Sequence, residues 1–371
     1  MLRSNKVKAG AVGIAAAALT VGMAVPAHAD QHPRAKDAVG VGSDTVQYVS
    51  DFVDDGTPAG DSGYNTANTA RRVWSFDATA DASGRALYGR SSTTAIPGTI
   101  VLRAGTNPIN RPNGSGSGIT AFLADSNHRI DFVRSSRLPS PTEQTTAGGT
   151  AGFGAGIHVY RIATDGLDIA VSQTVASNAP AALTATDLIN IYKGTYLTWS
   201  QVPGYAGPAP SATIIPVLPQ TGSGTRNDFL ADLKANNGGV DVPLTNPNLV
   251  TSEEHDPTAI SASTSPANTI APFSTGRDNL IDTGYFGSTP SPNTIRLLNG
   301  AGTYHLNRNL YILVRDADVT SATPFQVGGT QNLVNTLFGT STSWYAKASN
   351  SALFTGAGVT QSWADLGLAH S

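Results

Sequence analysis

The chain has 371 residues, long enough for two lobes and a sizeable core. Its 23 Lys and Arg against 26 Asp and Glu give a formal charge of −3, which becomes −6 when a leader carrying Arg3, Lys6 and Lys8 is removed; that balance excludes a nucleic-acid footprint. Cysteine is absent, which excludes disulfides and a lipid-modified signal junction, and the abundant Gly, Ser, Thr, Asn and Pro predict many polar turns.

The first 29 residues read as a secretory leader: a basic start, an apolar Ala9–Val25, and the small-residue cleavage site Ala27-His28-Ala29. The mature chain is expected to begin at Asp30, exported and without an anchor, and no later stretch is long and apolar enough to span a bilayer. Asp30–Asp37 is a short polar lead. Ala38–Val41 predicts a strand, and Gly42-Ser43-Asp44-Thr45 turns it into a helix with Val46, Val49 and Val53 on one face. Asp54–Thr99 reads as loops with one or two short strands, and Thr99–Leu102 as a strand. The loop Asn107–Gly118, ending Gly114-Ser115-Gly116-Ser117-Gly118, leads to a helix marked by Ile119, Phe122 and Leu123.

Ile130–Val133 predicts a buried strand, with Arg134-Ser135-Ser136-Arg137 at its carboxyl end, where open α/β sheets bind ligands. Ile157–Ile162 and Leu167–Val171 are expected as two short strands. Leu183–Gly194 reads as a helix started by Thr184 or Thr186 and stopped by Gly194, with Trp199 on a surface loop after it. Thr213–Lys234 is strand, turn and helix: Ile214–Leu218 apolar, Thr221-Gly222-Ser223-Gly224-Thr225-Arg226 at the turn, then Phe229, Leu230 and Leu233 on one helical face before Gly238-Gly239. Asn246–Pro292 predicts polar loop with two short helical stretches, Leu310–Val314 a strand, and Gln331–Leu337 a helix before a turn-rich end.

Gly/Ser turns before helices are common, and Ser or Thr is an ordinary N-cap. Here the pattern recurs at Gly42–Thr45, Gly114–Gly118 and Gly222–Thr225. Three converging helix N-termini would form an anion cradle without lysine. Arg134, Arg137 and Arg226 are candidates for positive charge, since a planar guanidinium suits an oxyanion, and Asp44 for accepting a proton on the anion. Glu253-Glu254-His255-Asp256 is a poor metal cluster, because consecutive residues do not point at one centre. No metal, cofactor or catalytic residue is expected; no G-x-S-x-G elbow supports a hydrolase, and sequence alone leaves a Ser–His–Asp arrangement open.

The order of motifs resembles the substrate-binding proteins of bacterial phosphate ABC transporters. It is carried by Gly114–Ile119, Asp131–Pro139, the run Leu183–Trp199, Thr221–Thr225 and Leu306–Asp316. The resemblance implies an α/β, two-lobed type II binding-protein fold, each lobe a mixed sheet flanked by helices, with the ligand in the cleft between them. After the leader (1–29) and the polar lead (30–37), lobe 1 is expected at 38–160, lobe 2 at 161–300 and a return to lobe 1 at 301–371. It further implies a monomer that captures phosphate for a membrane ABC permease. Ligand-binding positions carried over are Thr45, Ser115, Ser117, Ser136, Ser223, Gly224 and Thr225. The family motifs also hold an Arg and an Asp where this chain has Pro219 and Thr221, and its proton-accepting Asp is Ser136 here. Arg134 or Arg226 is expected to replace the missing Arg, and Asp44 the missing acceptor. The alternatives are a module for another oxyanion or phosphorylated ligand, a secreted phosphatase or esterase on the same scaffold, and a protein whose cleft has lost its ligand.

Overall fold

The computed structural model describes residues 33–78, 98–149, 152, 154–287, 291–320 and 333–371. The leader and its cleavage site lie outside these residues. The strands are β1 Ala38–Gly42, β2 Val73–Ser75, β3 Thr99–Ile100, β4 Ile109–Asn110, β5 Phe132–Ser135, β6 Ile157–Ser172, β7 Ile215–Pro219, β8 Val250–Ser252, β9 Thr269–Ser274, β10 Ile295–Leu297, β11 His305–Arg315 and β12 Thr360–Asp365. The helices are α1 Gln47–Asp55, α2 Tyr64–Ala67, α3 Ser115–Leu123, α4 Pro141–Gly148, α5 Ala185–Tyr192, α6 Gly224–Asn236, α7 Thr258–Ser261, α8 Thr275–Asp282, α9 Asp316–Thr320, α10 Leu333–Leu337 and α11 Ser351–Gly356.

All strands except the β3–β4 pair join one mixed sheet in the order β2-β1-β5-β11-β6-β9-β7-β8, with β10 and β12 also pairing β6. β1 is buried throughout and lies parallel to β2 and β5, as its unbroken apolar sequence requires of an interior parallel strand. At the other end β7 lies parallel to β8 and β9. Between them β6 and β11 run antiparallel from His305 against Asp168 to Arg315 against Ile157, with one irregularity at Leu310/Tyr311. These two long strands carry the sheet from one lobe into the other. One core, around Val39, Ile119, Phe122, Val133 and Leu313, belongs to the β1–β5 end. A second, around Leu188, Tyr192, Trp199, Leu218, Phe229 and Leu233, belongs to the β7–β9 end.

Four expectations are corrected. The two short strands predicted at 157–162 and 167–171 are a single β6; Asp165-Gly166 breaks the apolar pattern without breaking the strand, because Thr275 packs where a Cβ on residue 166 would sit. Trp199 is fully buried, not on the surface, and its Nε1 donates to Asn268 Oδ1 at 2.9 Å. The polar segment 246–292 also contains β9, whose Thr269-Ile270-Ala271-Pro272-Phe273-Ser274 is buried between β6 and β7. The turn-rich end contains α11 and then β12, which pairs β6. The helix over 183–194 forms with Thr184 and Asp187 as a capping box and Gly194 at φ 80° beyond its end. Among the described residues no helix is long and apolar enough to cross a membrane.

Candidate functional site

Each of the three Gly/Ser turns ends a strand or loop and starts a helix. Gly114 and Gly222 take φ of 90° and 94°, a region that favours glycine, and they face each other across the cleft. A Cβ on Gly114 would press on the Gly222 carbonyl oxygen, and the Gly116 N–H donates to that oxygen at 3.1 Å. The turns before α3 and α6 are thus in direct contact, although more than a hundred residues separate them.

The contact gathers the hydroxyls. Ser115 Oγ lies 3.3 Å from Ser136 Oγ and accepts from the Ser136 N–H at 3.0 Å. A Cβ on Gly224 would fall well inside van der Waals contact of both Ser136 Oγ and Ser115 Oγ. Ser117 sits at the rim, against Gly222. Ser223 Oγ faces its own helix and accepts from the Arg226 N–H at 3.0 Å, an N-cap contact.

Beside this hydroxyl cluster Thr45 and Thr225 meet, with their Oγ1 atoms 3.1 Å apart. Both donate to Glu254 Oε1, Thr45 at 2.6 Å and Thr225 at 2.5 Å, and the Thr225 N–H approaches the same oxygen at 3.4 Å. Arg308 Nη1 donates to Thr225 Oγ1 at 2.6 Å, and its Nε and Nη2 donate to Asp165 Oδ2 at 3.1 and 2.8 Å. His255 Nε2 lies 3.4 Å from Thr225 Oγ1, and its Nδ1 lies 3.1 Å from Asp44 Oδ2. Thr225, Glu254, His255 and Arg308 are all buried.

The charged candidates come out differently from expectation. Arg134 does not face the ligand space: it is fully buried and donates to the carbonyls of Ser43, Gly42 and Phe76 and to Ser75 Oγ, tying β5 to the β1–α1 turn. Arg226 Nη1 donates back to the Pro219 carbonyl at 2.8 Å. Arg137 forms a two-pronged pair with Glu143. Asp44 is no free acceptor: Arg277 Nη2 donates to its Oδ2 at 2.9 Å, and His255 holds the same oxygen. Burial alone would raise the Asp44 carboxyl, but Arg277 and His255 outweigh it and hold it at about 2.

The positive charge at the threonines instead comes from Arg308, which sequence reading passed over. The sequence held no clear signal for it, because β6 and β11 each carry other charged residues and only the strand pairing sets Arg308 opposite Asp165. Glu254 and His255 were discounted because neighbours in sequence seldom aim at one point. They do so here because the irregular segment between β8 and α7 places His255 at φ 57°. Two further carboxyls nearby are pushed up to about 7, chiefly by burial: Asp228, despite Arg308, and Glu253, which also feels Asp44 and Glu254. Glu253 Oε1 accepts from Asn113 Nδ2 at 2.9 Å and Gln220 Nε2 at 3.0 Å, bridging the two facing turns. Among the described residues no group of His and carboxylate side chains is placed to hold a metal ion.

The family model of the PBP superfamily domain matches residues 102–326. The chain belongs to the PBP superfamily. Among solved structures, this PBP-superfamily chain is similar to a Clostridium perfringens protein assigned as a phosphate ABC transporter substrate-binding protein and holding phosphate: 12% identity over 88% of this chain and 99% of that one, TM-score 0.54. An ABC-type phosphate transport receptor from Vibrio cholerae is 17% identical over 88% of this chain and 100% of that one, TM-score 0.50. An ancestral soluble variant of the human phosphate-binding protein is 15% identical over 87% and 90%, TM-score 0.52. At these identities the likeness shows the fold, a two-lobed α/β binding-protein architecture. Among curated proteins nothing matches the chain.

Proposed function

We propose that this chain is an exported solute-binding protein that captures inorganic phosphate between its lobes for ABC-type uptake. The observation that carries the reading is the convergence of Ser115, Ser136 and Gly224, from three separate segments, beside Thr45, Thr225 and the buried Arg308. Hydroxyls, helix-start N–H groups and a guanidinium on one point form the donor set that a tetrahedral oxyanion satisfies. The structural neighbours named for phosphate, one of them holding it, support the same ligand. In this reading Ser115, Ser117, Ser136, Ser223, Gly224, Thr225 and Thr45 frame the ligand, Arg308 takes the place expected of Arg134 or Arg226, and a monomer released after Ala29 docks on a membrane permease. Lobe 1 is built from 38–160 and 301–371, and lobe 2 from 161–300.

The site does no chemistry on its ligand. Thr225, His255 and Asp44 form a hydroxyl–imidazole–carboxylate row, a feature that favours a hydrolase. The Thr225 hydroxyl, however, donates to Glu254 at 2.5 Å and not to His255 at 3.4 Å, so the three residues are not linked as a Ser–His–Asp-type relay. Calorimetry on anion-stripped protein tests the proposal: heat is expected with phosphate, and silence with both phosphate and sulfate overturns it. Release of nitrophenolate from p-nitrophenyl phosphate, lost in Thr225→Val, would move the protein to the hydrolase reading.

A further inference from the structure

Glu254 occupies the place where the cradle's donors point. Its Oε1 takes the Thr45 and Thr225 hydroxyls at 2.6 and 2.5 Å and the Thr225 N–H at 3.4 Å. An oxyanion oxygen using the same donors would have to sit at the same point, and two anionic oxygens in a buried site repel strongly. The residue is 2% exposed, and its second oxygen, Oε2, is buried with no hydrogen-bond partner. One corner of the cradle is therefore filled by a carboxylate that is only half satisfied, which costs free energy relative to a guest whose oxygens are all matched. The hydroxyls of Ser115 and Ser136 gather around Gly224, the residue immediately before Thr225. Glu254 is carried between β8 and α7, outside any regular element, and the next residue, His255, holds a backbone angle that a non-glycine residue adopts only at a cost.

We propose that Glu254 is an internal ligand of the cradle, an autoinhibitory contact that an incoming oxyanion must displace. The inference rests on the oxyanion-binding reading and deepens it: capture is an exchange of one anion for another. An internal competitor lowers affinity for every oxyanion alike and does not by itself discriminate among them.

The test is calorimetry of the anion-stripped exported protein and its Glu254→Ala and Glu254→Gln variants with inorganic phosphate and with sulfate. Glu254→Ala is expected to bind both ions at least about tenfold more tightly than the parent, with Glu254→Gln changing in the same direction by less, because it keeps an acceptor oxygen but not the charge. A second readout follows: ligand-free Glu254→Ala melts below the parent, and saturating phosphate closes the gap. Unchanged affinities overturn the inference while leaving phosphate binding intact. Weaker phosphate binding with unchanged sulfate binding also overturns it, because the carboxylate would then be meeting a proton on the ligand. Silence from parent and variants with both ions removes the phosphate reading and this inference together. If Glu254→Ala fails to fold by circular dichroism, Glu254→Gln decides: no gain in affinity for either ion overturns the proposal.

Discussion

The starts of α6 and α8 are each met by a carboxylate from elsewhere in the chain, yet the two carboxylates are unlike. Asp165 sits on β6, opposite Arg308 of β11, and has both oxygens answered. Its Oδ1 accepts from Ser274 Oγ, Thr275 Oγ1 and the Gly276 N–H, and its Oδ2 from Arg308. Glu254 sits on an unpaired segment, with Oε1 crowded by donors and Oε2 buried alone. A carboxylate with every lone pair matched on a rigid strand is part of the frame, because moving it would strand Arg308. A half-matched one on an irregular segment has less to lose on moving, which is the basis for proposing it as the group a ligand displaces.

Asp165→Asn gives the largest expected effect. It leaves the Arg308 guanidinium buried against a neutral partner, and a loss of about 3–5 kcal/mol in urea unfolding is expected, with phosphate binding lost as well. Glu254→Gln, which keeps an acceptor for both threonines, should cost less than about 1 kcal/mol in the same measurement. Equal losses would erase the contrast between the two helix starts.

Next comes Gly224→Ala. Its Cβ would displace Ser136 and Ser115, so phosphate affinity should fall at least about tenfold and stability by about 1–3 kcal/mol. Unchanged affinity by calorimetry would show that the hydroxyl cluster is not where the ion sits.

Asp44→Asn is expected to cost about 2 kcal/mol at neutral pH. The carboxyl is depressed in the fold from 3.8 to about 2, so its contribution is fully present above the unfolded value and is lost as pH falls through about 2. The variant should therefore lose the acid limb of the parent's stability curve; parallel curves would break the pairing of Asp44 with Arg277 and His255.

Glu253→Gln is the mildest. This carboxyl is raised from 4.5 to about 7, so it makes the parent lose stability as pH climbs from the unfolded value through about 7, and the variant should show a shallower slope across that window, where Asp228 still titrates. The group is partly open to solvent, which keeps the difference below about 1 kcal/mol. An unchanged slope would take Glu253 out of the bridge between Asn113 and Gln220.

Local pattern made much of this protein legible. The Gly114–Gly118 and Gly222–Thr225 turns, the Thr184 capping box and the α5 and α6 helices are encoded within a few residues of themselves, by φ that favours glycine, by N-cap oxygens and by apolar spacing. The split of β6 into two strands was misread because Asp165-Gly166 looks locally like a break, and only Thr275 and Arg308 across the fold explain why a charged residue and a glycine stand there. Trp199 was placed on the surface because its partner, Asn268, lies far along the chain.

The sequence by itself determined the hydroxyl-bearing turns and the α/β alternation, because each depends on contacts within one turn of chain. Only the tertiary structure decided where the charges go. It turned Arg134 and Arg226 back onto backbone carbonyls, committed Asp44 to Arg277, and brought Glu254 and Arg308 to Thr225. The physical reason is range. A buried charge must find its partner wherever the fold supplies one, and spacing along the sequence holds no record of that choice.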